Sequence, residues 1–370
     1  MSAVEPLEVE PRPGVRRVAV VLFNLGGPDS LKAVRPFLFN LFNDPAIIGL
    51  PGPARMALAA TISTLRAKGA KKNYALMGGA SPLLRETRAQ ARELGARFSE
   101  AQVDVRVFIA MRYWRPTTAA AAKAVAGFEP DEVILLPLYP HFSASTTASS
   151  MKAWAEAYRG PGDVRTVCCY PDDKGLVAAH AGLIEKTWEE AGRPANVKIL
   201  FSAHGLPEKA IAGGDPYQWQ IERTAAAVAD RLQEGPCREL NWQVCYQSRV
   251  GPLKWIGPPT PEAIEAAAHE GLGVLISPIA FVSEHVETLV ELDRDYAELA
   301  EHAGVPHYLR VPALGVEPAF MDGLAGLIAH ALARPEGIES GCGGRICPQN
   351  FGQCPAKAVA APARLQDATP

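Results

Sequence analysis

Three apolar segments in the first half of the chain recur in the same order in the second half, and this repeat constrains the fold most strongly. Each segment has the apolar run of a buried strand and then breaks into glycine, proline and polar residues. The matched pairs are LFNLGGPDS (22–30) with LFSAHGLPE (200–208), FIAMRYWRP (108–116) with VCYQSRVGP (244–252), and ILLPLYPHFS (134–143) with LISPIAFVSE (275–284). Helical segments separate the strands, so the pattern predicts parallel sheets with helices on both faces.

The repeat predicts an α/β fold of two similar, doubly wound, Rossmann-like lobes with a cleft between their strand ends. A chain of 370 residues is long enough for two such lobes. We predict four parts, namely a loose N-terminal arm (1–16), a first lobe (17–163), a second lobe (164–334) and a cysteine-containing tail (335–370). The tail has so little apolar content that we expect it not to become ordered by itself.

Composition is that of an ordinary globular chain and disfavours some partners. Hydrophobic residues make up 48% and charged residues 21%, and the formal net charge is −3, without a dominant basic stripe. We therefore expect no nucleic-acid partner. Residues 1–17 lack the apolar core of a signal peptide, and the apolar run 271–282 is too short to cross a bilayer. We predict a cytoplasmic location, where the seven cysteines are free or metal-bound rather than disulfide-linked.

The second lobe contributes an acidic helix to the predicted cleft. After the apolar strand 274–281, Ser283 is a suitable N-cap for an α-helix. Acidic residues then recur on one face at i, i+3, i+7 and i+11, namely Glu284, Glu287, Glu291 and Asp295. His285 lies beside this line and His204 follows another predicted strand, at the strand ends where open α/β sheets bind ligands. The alternative interpretation is a solvated acidic face with an incidental histidine.

The first lobe contributes aromatic and polar side chains at its strand ends, namely Arg112, Tyr113, Tyr139 and Ser143. The sequence contains no phosphate loop and no G-x-S-x-G elbow. Imidazole and carboxylate groups suit ferrous iron or proton transfer near neutral pH. Aromatic rings suit a flat apolar ligand, and Arg112 suits that ligand's carboxylates. The alternatives are a helix cap for His204, an ion pair with a helix carboxylate for Arg112, and a core position for Tyr113.

Seven segments, in order and with matching spacing, resemble the ferrochelatase family over about residues 18–328. They are LFNLGGPDS (22–30), GGASP (78–82), MRYWRP (111–116), YPHFSASTT (139–147), FSAHGLP (201–207), QSRVGPLKWIGP (247–258) and SPIAFVSEHVETLVELD (277–293). The resemblance implies a two-lobed chelatase fold with a porphyrin held between the lobes. It also implies insertion of Fe²⁺ into protoporphyrin IX, which releases protons and forms protoheme.

The resemblance also implies roles for individual residues. His204 is the essential imidazole facing the macrocycle, and Glu287 is its carboxylate partner; in the family both are assigned either to metal coordination or to proton acceptance. Protons or iron would be relayed by the neighbouring groups His285, Glu291 and Glu284. The porphyrin would be contacted by the residues lining the cleft, namely Leu25, Tyr74, Arg112, Tyr113, Tyr139, Ser143 and Trp255.

Three other functions stay open at this stage. Coproporphyrin III is an alternative substrate. A porphyrin or heme carrier without catalysis is a second alternative, although it would have no use for Glu287 and Glu291. A third is a cobalt or nickel chelatase for a more carboxylated tetrapyrrole, but those relatives are usually shorter and carry paired histidines where this chain has His204 and Glu287.

The tail concentrates three cysteines, Cys342, Cys347 and Cys354, in a short Gly/Pro-rich segment. Closely spaced thiolates bind soft metals, and an iron–sulfur cluster needs four ligands. We expect the fourth from Cys168 or Cys169 and favour Cys168, because adjacent cysteines rarely both ligate one centre. The family resemblance supports a [2Fe–2S] cluster, although the C-x4-C-x6-C spacing differs from the C-x2-C-x4-C of animal members. Zinc is the alternative metal.

A segment of the first lobe, residues 45–68, predicts peripheral membrane contact. It combines apolar positions such as Ile48, Met56 and Ile62 with Arg55, Arg66 and Lys68. Such a mixture can insert into the surface of a bilayer. The alternative is a helix packed in the core. The sequence carries no signal for an oligomeric state.

Overall fold

A computed structural model describes residues 14–99, 103–249, 251 and 253–356. Most of the predicted N-terminal arm, and residues 357–370 of the predicted tail, lie outside the described residues. The structure has strands β1 Arg16–Asn24, β2 Val103–Met111, β3 Glu132–Pro137, β4 Asp163–Val167, β5 Val197–His204, β6 Asn241–Gln247, β7 Gly273–Pro278, β8 Tyr308–Arg310 and β9 Gly337–Glu339.

The helices alternate with these strands, as the sequence predicts. The α-helices are α1 Val34–Phe42, α2 Gly52–Leu76, α3 Leu83–Ala96, α4 Thr118–Phe128, α5 Ser149–Ala157, α6 Lys174–Glu190, α7 Glu208–Ala212, α8 Tyr217–Leu232, α9 Thr260–His269, α10 Tyr296–Ala303 and α11 Pro318–Leu332. Two π-helices, Ala144–Ala148 and Glu287–Asp295, follow β3 and β7.

Two parallel sheets form, and their strand orders match. The first sheet has the order β2-β1-β3-β4-β9 and the second has the order β6-β5-β7-β8. Within the sheets β1 pairs with β2 and β3, as β5 pairs with β6 and β7, and all of these pairs are parallel. The predicted fold of two parallel-sheet α/β lobes is confirmed.

The limits of the lobes differ from the predicted boundaries. The boundary at residue 164 assigned the strand β4 to the second lobe, whereas β4 pairs with β3 in the first sheet. Residues 337–339, predicted as part of the tail, form the edge strand β9 of that same sheet. A short strand between two helices carries no signal for the sheet that it joins, because its partner lies far away in the chain.

The largest hydrophobic core is continuous between the two sheets. It contains Leu22 of β1 and Phe201 of β5, together with the inner faces of α6, α8 and α11. Separate cores cover the outer faces, one around Phe23 in the first lobe and one around Leu200 in the second. Side chains alternate along β1 and β5 between the shared core and an outer core, which is the period of a strand covered on both faces. This shared packing fixes the lobes relative to each other.

Candidate active site

His204 is the last residue of β5 and is only partly covered. Its Nδ1 lies 2.6 Å from the carbonyl oxygen of Gly205. A carbonyl oxygen can only accept, so Nδ1 carries the proton and a neutral ring has its lone pair on Nε2. That Nε2 lies 3.9 Å from Oε1 of Glu287. The ring of Trp255 lies beside the imidazole, with the two ring centroids 6.4 Å apart.

His285 stands on the other side of the same carboxylate. Its Nδ1 lies 3.1 Å from the carbonyl oxygen of Ser283, so its neutral ring also has the lone pair on Nε2. This Nε2 lies 3.9 Å from Oε2 of Glu287. Oε2 is buried, and no hydrogen-bond partner for it occurs in the described part of the chain. Two imidazole lone pairs therefore face the two oxygens of one carboxylate.

His204, His285 and Glu287 carry nitrogen and oxygen lone pairs that can accept protons or bind a divalent cation. Among residues 14–99, 103–249, 251 and 253–356, however, no three His, Cys, Asp or Glu side chains form a ready-made site for a single metal ion. Burial raises the pKa of the Tyr74 phenol of the first lobe, and the negative charge of Glu287 raises it further. Tyr74 therefore lies within electrostatic range of this carboxylate.

The helix that carries Glu287 is a π-helix rather than the predicted α-helix. It begins at Glu287, and Ser283 does not cap it, since its hydroxyl instead donates to Oε1 of Gln90 at 3.2 Å. The predicted acidic line is therefore not carried by one continuous α-helix, and the i→i+5 winding gives its residues a different period. Glu284 lies before the helix, while Glu287 and Glu291 lie within it.

Glu291 is held by a full set of donors. It accepts hydrogen bonds from Gln247 Nε2 at 3.0 Å, from the backbone N–H and hydroxyl of Ser248 at 3.0 and 2.5 Å, and from the Tyr296 hydroxyl at 2.9 Å. These contacts fasten the loop after β6 to the π-helix. The structure therefore places Glu291 in a fixed position one turn away from the His204–Glu287 contact.

Glu284 is likewise engaged away from the two histidines. Its Oε1 accepts from Arg310 Nη1 at 2.5 Å and from the backbone N–H of Ala313 at 3.0 Å. Burial raises the pKa of Glu284, but the Arg310 charge and the hydrogen bonds outweigh burial and hold it below its usual range. Arg310 also binds both oxygens of Asp293. Nothing local in the sequence identifies Arg310, because its partners come from distant positions.

The first-lobe side of the predicted cleft, which we call the first wall, consists of residues around Asp44. Asp44 organises the residues there that were predicted to contact the ligand. Its Oδ2 accepts from Arg112 Nη2 at 2.7 Å, from the Tyr113 hydroxyl at 2.9 Å and from the Ser149 hydroxyl at 2.5 Å. Burial raises the pKa of Asp44, but the bonds from Ser149 and Ala46 and the Arg112 charge lower it further than burial raises it. Arg112 is thus ion-paired and Tyr113 is a core residue, which were the alternative interpretations. Sequence reasoning missed Asp44, whose one signal is an acidic residue beside an apolar segment.

The other predicted ligand contacts differ in their surroundings. Leu25 follows β1 and is half-buried, and its N–H donates to Asn24 Oδ1 at 2.8 Å. The hydroxyl of Tyr139 and Nε1 of Trp255 are buried, and neither has a hydrogen-bond partner within the described residues. Ser143 donates to Oδ2 of Asp215 at 2.9 Å, so it joins the first lobe to the loop after α7. Burial raises the pKa of the Tyr217 phenol, and the charges of Tyr246 and Glu287 raise it further, so Tyr217 is a neighbour of Glu287 that the sequence did not reveal.

Four of the cysteines meet in one buried cluster beside Phe142, namely Cys168, Cys169, Cys347 and Cys354. The sulfur atoms of Cys168 and Cys169 are 3.8 Å apart. Hydrogen bonds from Cys169 and Cys354 lower the pKa of the Cys347 thiol, and Gln220 Nε2 donates to its sulfur at 3.2 Å. The described tail residues are packed on the rest of the chain, through β9 and through Cys347, Cys354, Ile346 and Phe351 in this cluster, rather than folded by themselves.

Cys342 does not join this cluster. It is exposed, and its electrostatic neighbours are Asp172, Asp173 and Arg223. Within the described residues no group of three or more His, Cys, Asp or Glu side chains is arranged to hold a metal ion, so the four thiols pack together without forming a ready-made metal site. The predicted set of Cys168, Cys342, Cys347 and Cys354 is not brought together, because Cys342 lies apart and Cys169 lies beside the other three instead.

Comparisons with known proteins agree with this arrangement. A solved multi-domain protein of Deinococcus radiodurans, described as structurally similar to chelatases, superposes with a TM-score of 0.52 at 17% identity, covering 89% of this chain and 57% of that one. The family model for ferrochelatase matches residues 17–332. Curated ferrochelatases of Caulobacter vibrioides and Hyphomonas neptunium are 58% and 54% identical, over 92% of this chain and 98% and 95% of theirs.

The two parallel-sheet α/β lobes have the fold of a two-lobed chelatase. The match over most of the chain, and the identity to curated relatives, make the assignment more specific. The chain belongs to the ferrochelatase family.

Proposed function

We propose that the protein inserts Fe²⁺ into protoporphyrin IX and forms protoheme, with the macrocycle held in the cleft between the lobes. As a member of its family it is a metal chelatase that inserts iron into porphyrin for heme synthesis. The observation that carries the finer proposal is the placement of the Nε2 lone pairs of His204 and His285 at 3.9 Å from the two oxygens of Glu287.

The chemistry of insertion requires proton acceptors of this kind. A porphyrin loses its pyrrole N–H protons as a dication enters, and a neutral imidazole accepts protons well near physiological pH. We assign His204 as the first acceptor because its Nδ1 is fixed as the donor to Gly205, which leaves Nε2 available. The carboxylate of Glu287 stabilises the resulting imidazolium and, with His204, provides donors for the entering iron.

We assign the onward transfer of protons to His285, which contacts the other oxygen of Glu287. In this proposal Glu291 and Glu284 support the relay rather than carry protons, because each already accepts several hydrogen bonds. Their contacts hold the loop after β6 and the strand β8 against the π-helix. Bending of the macrocycle in the cleft would expose its nitrogens to the metal. The cleft would then bind the transition state of insertion more tightly than the flat porphyrin.

The porphyrin contacts follow from the same geometry. Leu25, Tyr74, Tyr139 and Trp255 are proposed to contact the macrocycle, since they lie at strand ends or beside the His204–Glu287 contact. Arg112, Tyr113 and Ser143 are proposed to shape the first wall through Asp44 and Asp215. A carboxylate of the ligand would reach Arg112 only by sharing it with Asp44.

A direct assay separates the candidate substrates. Purified protein is incubated anaerobically with ferrous iron and either protoporphyrin IX or coproporphyrin III, and metallation is followed by the change in the Soret band. We expect faster metallation of protoporphyrin IX. Faster reaction with coproporphyrin III would assign that substrate instead, and binding without metallation would identify a carrier. Preferential insertion of cobalt or nickel would identify the third alternative.

We further propose that the four buried thiols of Cys168, Cys169, Cys347 and Cys354 hold a [2Fe–2S] cluster. Support comes from their convergence in one apolar cluster and from the Gln220 hydrogen bond to Cys347. The group, when bound, would supply a covalent link between the tail and the first lobe. It is proposed to be structural, because its ligands include none of the His204–Glu287–His285 group.

We propose a cytoplasmic protein that contacts the membrane surface through α2. This helix buries only Ala59, Ser63 and Tyr74, which argues against the alternative of a core helix. Its exposed side includes Met56, at 52% exposure, and Leu65, at 76% exposure. Within the described residues no helix is long and apolar enough to cross a membrane. An apolar surface flanked by Arg55, Arg66 and Lys68 fits an anionic bilayer surface.

Flotation with vesicles tests this contact. We expect the wild-type chain to float with vesicles that contain anionic lipid, and expect Leu65→Glu with Met56→Glu to remain at the bottom of the gradient. Leu253→Glu is a matched control, because Leu253 is 59% exposed but lies in the second lobe. Raised salt should weaken the flotation. A wild-type chain that does not float with anionic vesicles would contradict the proposal.

A further inference from the structure

Helix α3 of the first lobe contains two polar side chains, Thr87 and Gln90, that are completely buried at 0% exposure. They are separated by three positions and therefore lie on the same face of the helix. A buried amide or hydroxyl destabilises the fold unless its hydrogen bonds are satisfied. The partners of these two side chains therefore show what the positions are used for.

Gln90 reaches across to the second lobe. Its Nε2 donates to the backbone carbonyls of Val282 and Gly315, each at 2.9 Å, and its Oε1 accepts from the Ser283 hydroxyl at 3.2 Å. Because the two backbone carbonyls can only accept, they fix the orientation of the amide. Gly315 N–H also donates to the carbonyl of Val282 at 3.0 Å, so Gln90 closes a junction between two loops.

The junction continues directly into the candidate active site. Ser283, which donates to Gln90, uses its own carbonyl to accept the hydrogen bond that orients His285. His285 in turn faces Glu287 at 3.9 Å. A continuous series of contacts therefore leads from an amide in the first lobe to the ring nitrogen of His285.

Thr87 makes the corresponding contact with the first wall. Its hydroxyl accepts from Asn24 Nδ2 at 3.0 Å and donates to the carbonyl of Leu83 at 2.8 Å. Asn24 Oδ1 accepts from the N–H of Leu25, and the carbonyl of Asn24 accepts from the N–H of Arg112 at 2.9 Å. One turn of α3 thus contacts the backbone or side chains of both walls of the cleft.

We propose that Gln90 is a positioning residue for iron insertion, which holds the segment 282–287 at a fixed distance from the first wall and fixes the orientation of the His285 ring. The inference rests on the proposed roles of His285 and Glu287. Gln90 itself does not touch the reacting groups in this proposal. A shift of about 1 Å in a positioned group is enough to cost roughly 10²-fold in rate.

The test compares Gln90→Leu with Leu94→Ala, which removes a buried side chain from the same helix that makes no hydrogen bond to segment 282–287. Both are assayed below their melting temperatures for kcat, for the porphyrin KM and for the pH dependence of kcat. We expect Gln90→Leu to lower kcat by roughly ten- to a hundredfold and to displace the pH profile, with a smaller change in KM. Leu94→Ala should be destabilised but retain the kcat and pH profile of the wild type.

A second variant keeps the test decisive where Gln90→Leu does not fold. Ser283→Ala removes only the hydroxyl that donates to Gln90, and we expect it to displace the pH profile in the same direction. In the double variant the two effects should be less than additive, because they share one contact. Unchanged kcat and pH profiles in Gln90→Leu, or in Ser283→Ala if only that variant folds, would overturn the proposal.

Measuring Glu287→Gln in parallel separates this inference from the proposed function. An active Glu287→Gln variant would refute the proposed site and, with it, the reason to expect an effect at Gln90. An inactive Glu287→Gln together with normal Gln90→Leu kinetics would refute the positioning role alone. An inactive Glu287→Gln together with a slow Gln90→Leu, and a normal Leu94→Ala, is the result we expect.

Discussion

His204→Ala is expected to abolish iron insertion while leaving the fold and the affinity for porphyrin largely intact. The side chain is partly covered and makes one hydrogen bond, to its neighbour Gly205, so its removal leaves no distant buried group without a partner. What is lost is the nitrogen that faces Glu287 at 3.9 Å. Loss of a positioned general base typically lowers the rate by about 10²–10⁴-fold. Steady-state metallation with Fe²⁺ or Zn²⁺, and porphyrin binding followed by fluorescence, measure the two properties separately.

Glu287→Gln should be nearly as damaging as His204→Ala, because it removes the charge between the two imidazoles and keeps the shape of the side chain. His302→Ala is a suitable control, since His302 lies on the exposed part of α10 and, among the described residues, hydrogen-bonds only to the Glu298 carbonyl of its own helix. We expect this control to turn over like the wild type. Near-normal turnover of His204→Ala would refute the assignment of the site.

The repeat in the sequence was sufficient to predict the architecture. Apolar strands that end in glycine, proline and polar residues located β1, β5 and β7, and the matched order of the halves predicted matched sheets. It also brought His204 and Glu287 to one cleft, because the carboxyl ends of parallel strands meet at the same edge of a sheet. The short strand β4 was assigned to the second lobe and β9 was not predicted as a strand, since the partners of strands of three to five residues are set by tertiary packing.

The finer features of the site depend on long-range contacts that no local pattern reveals. The π-helix replaces the predicted α-helix where Glu291 binds residues of the loop after β6. Arg112 was predicted to be available to a ligand, but it pairs with Asp44, a residue that lies far away in the sequence. No local pattern reveals the role of Gln90 either, because its three hydrogen-bond partners are separated from it by about half of the chain.

The cysteines illustrate the limit of spacing as a guide. Their spacing in the tail grouped Cys342 with Cys347 and Cys354, whereas the structure packs only Cys347 and Cys354 against Cys168 and Cys169. Spacing alone could not distinguish Cys342 from the others, because the turn formed by residues 340–344 directs it toward Asp172 and Asp173 instead. The position of this turn depends on β9, which pairs with β4 immediately before Cys168.

Replacement of Cys347 by serine is expected to remove the visible absorption of the purified protein. Anaerobically purified wild type should be reddish, with about two iron and two sulfide per chain and a spectrum distinct from that of heme. Cys347 is central to the four thiols, since it contacts both Cys169 and Cys354 and accepts from Gln220. Cys354→Ser and Cys169→Ser should have the same effect. Because β9 and the tail are held partly by this cluster, these variants should also unfold at a lower temperature.

Cys342→Ser is the matched control for these substitutions, because Cys342 belongs to the same tail segment but is exposed and lies outside the four-thiol cluster. We expect it to retain the wild-type colour, iron content and sulfide content. Loss of colour in Cys342→Ser would show that this thiol replaces Cys168 or Cys169 as a ligand. Colourless wild-type protein with stoichiometric zinc, or an unchanged spectrum after Cys347→Ser, would refute the cluster. Activity should fall in Cys347→Ser only as far as stability does, since none of the four thiols belongs to the His204–Glu287–His285 group.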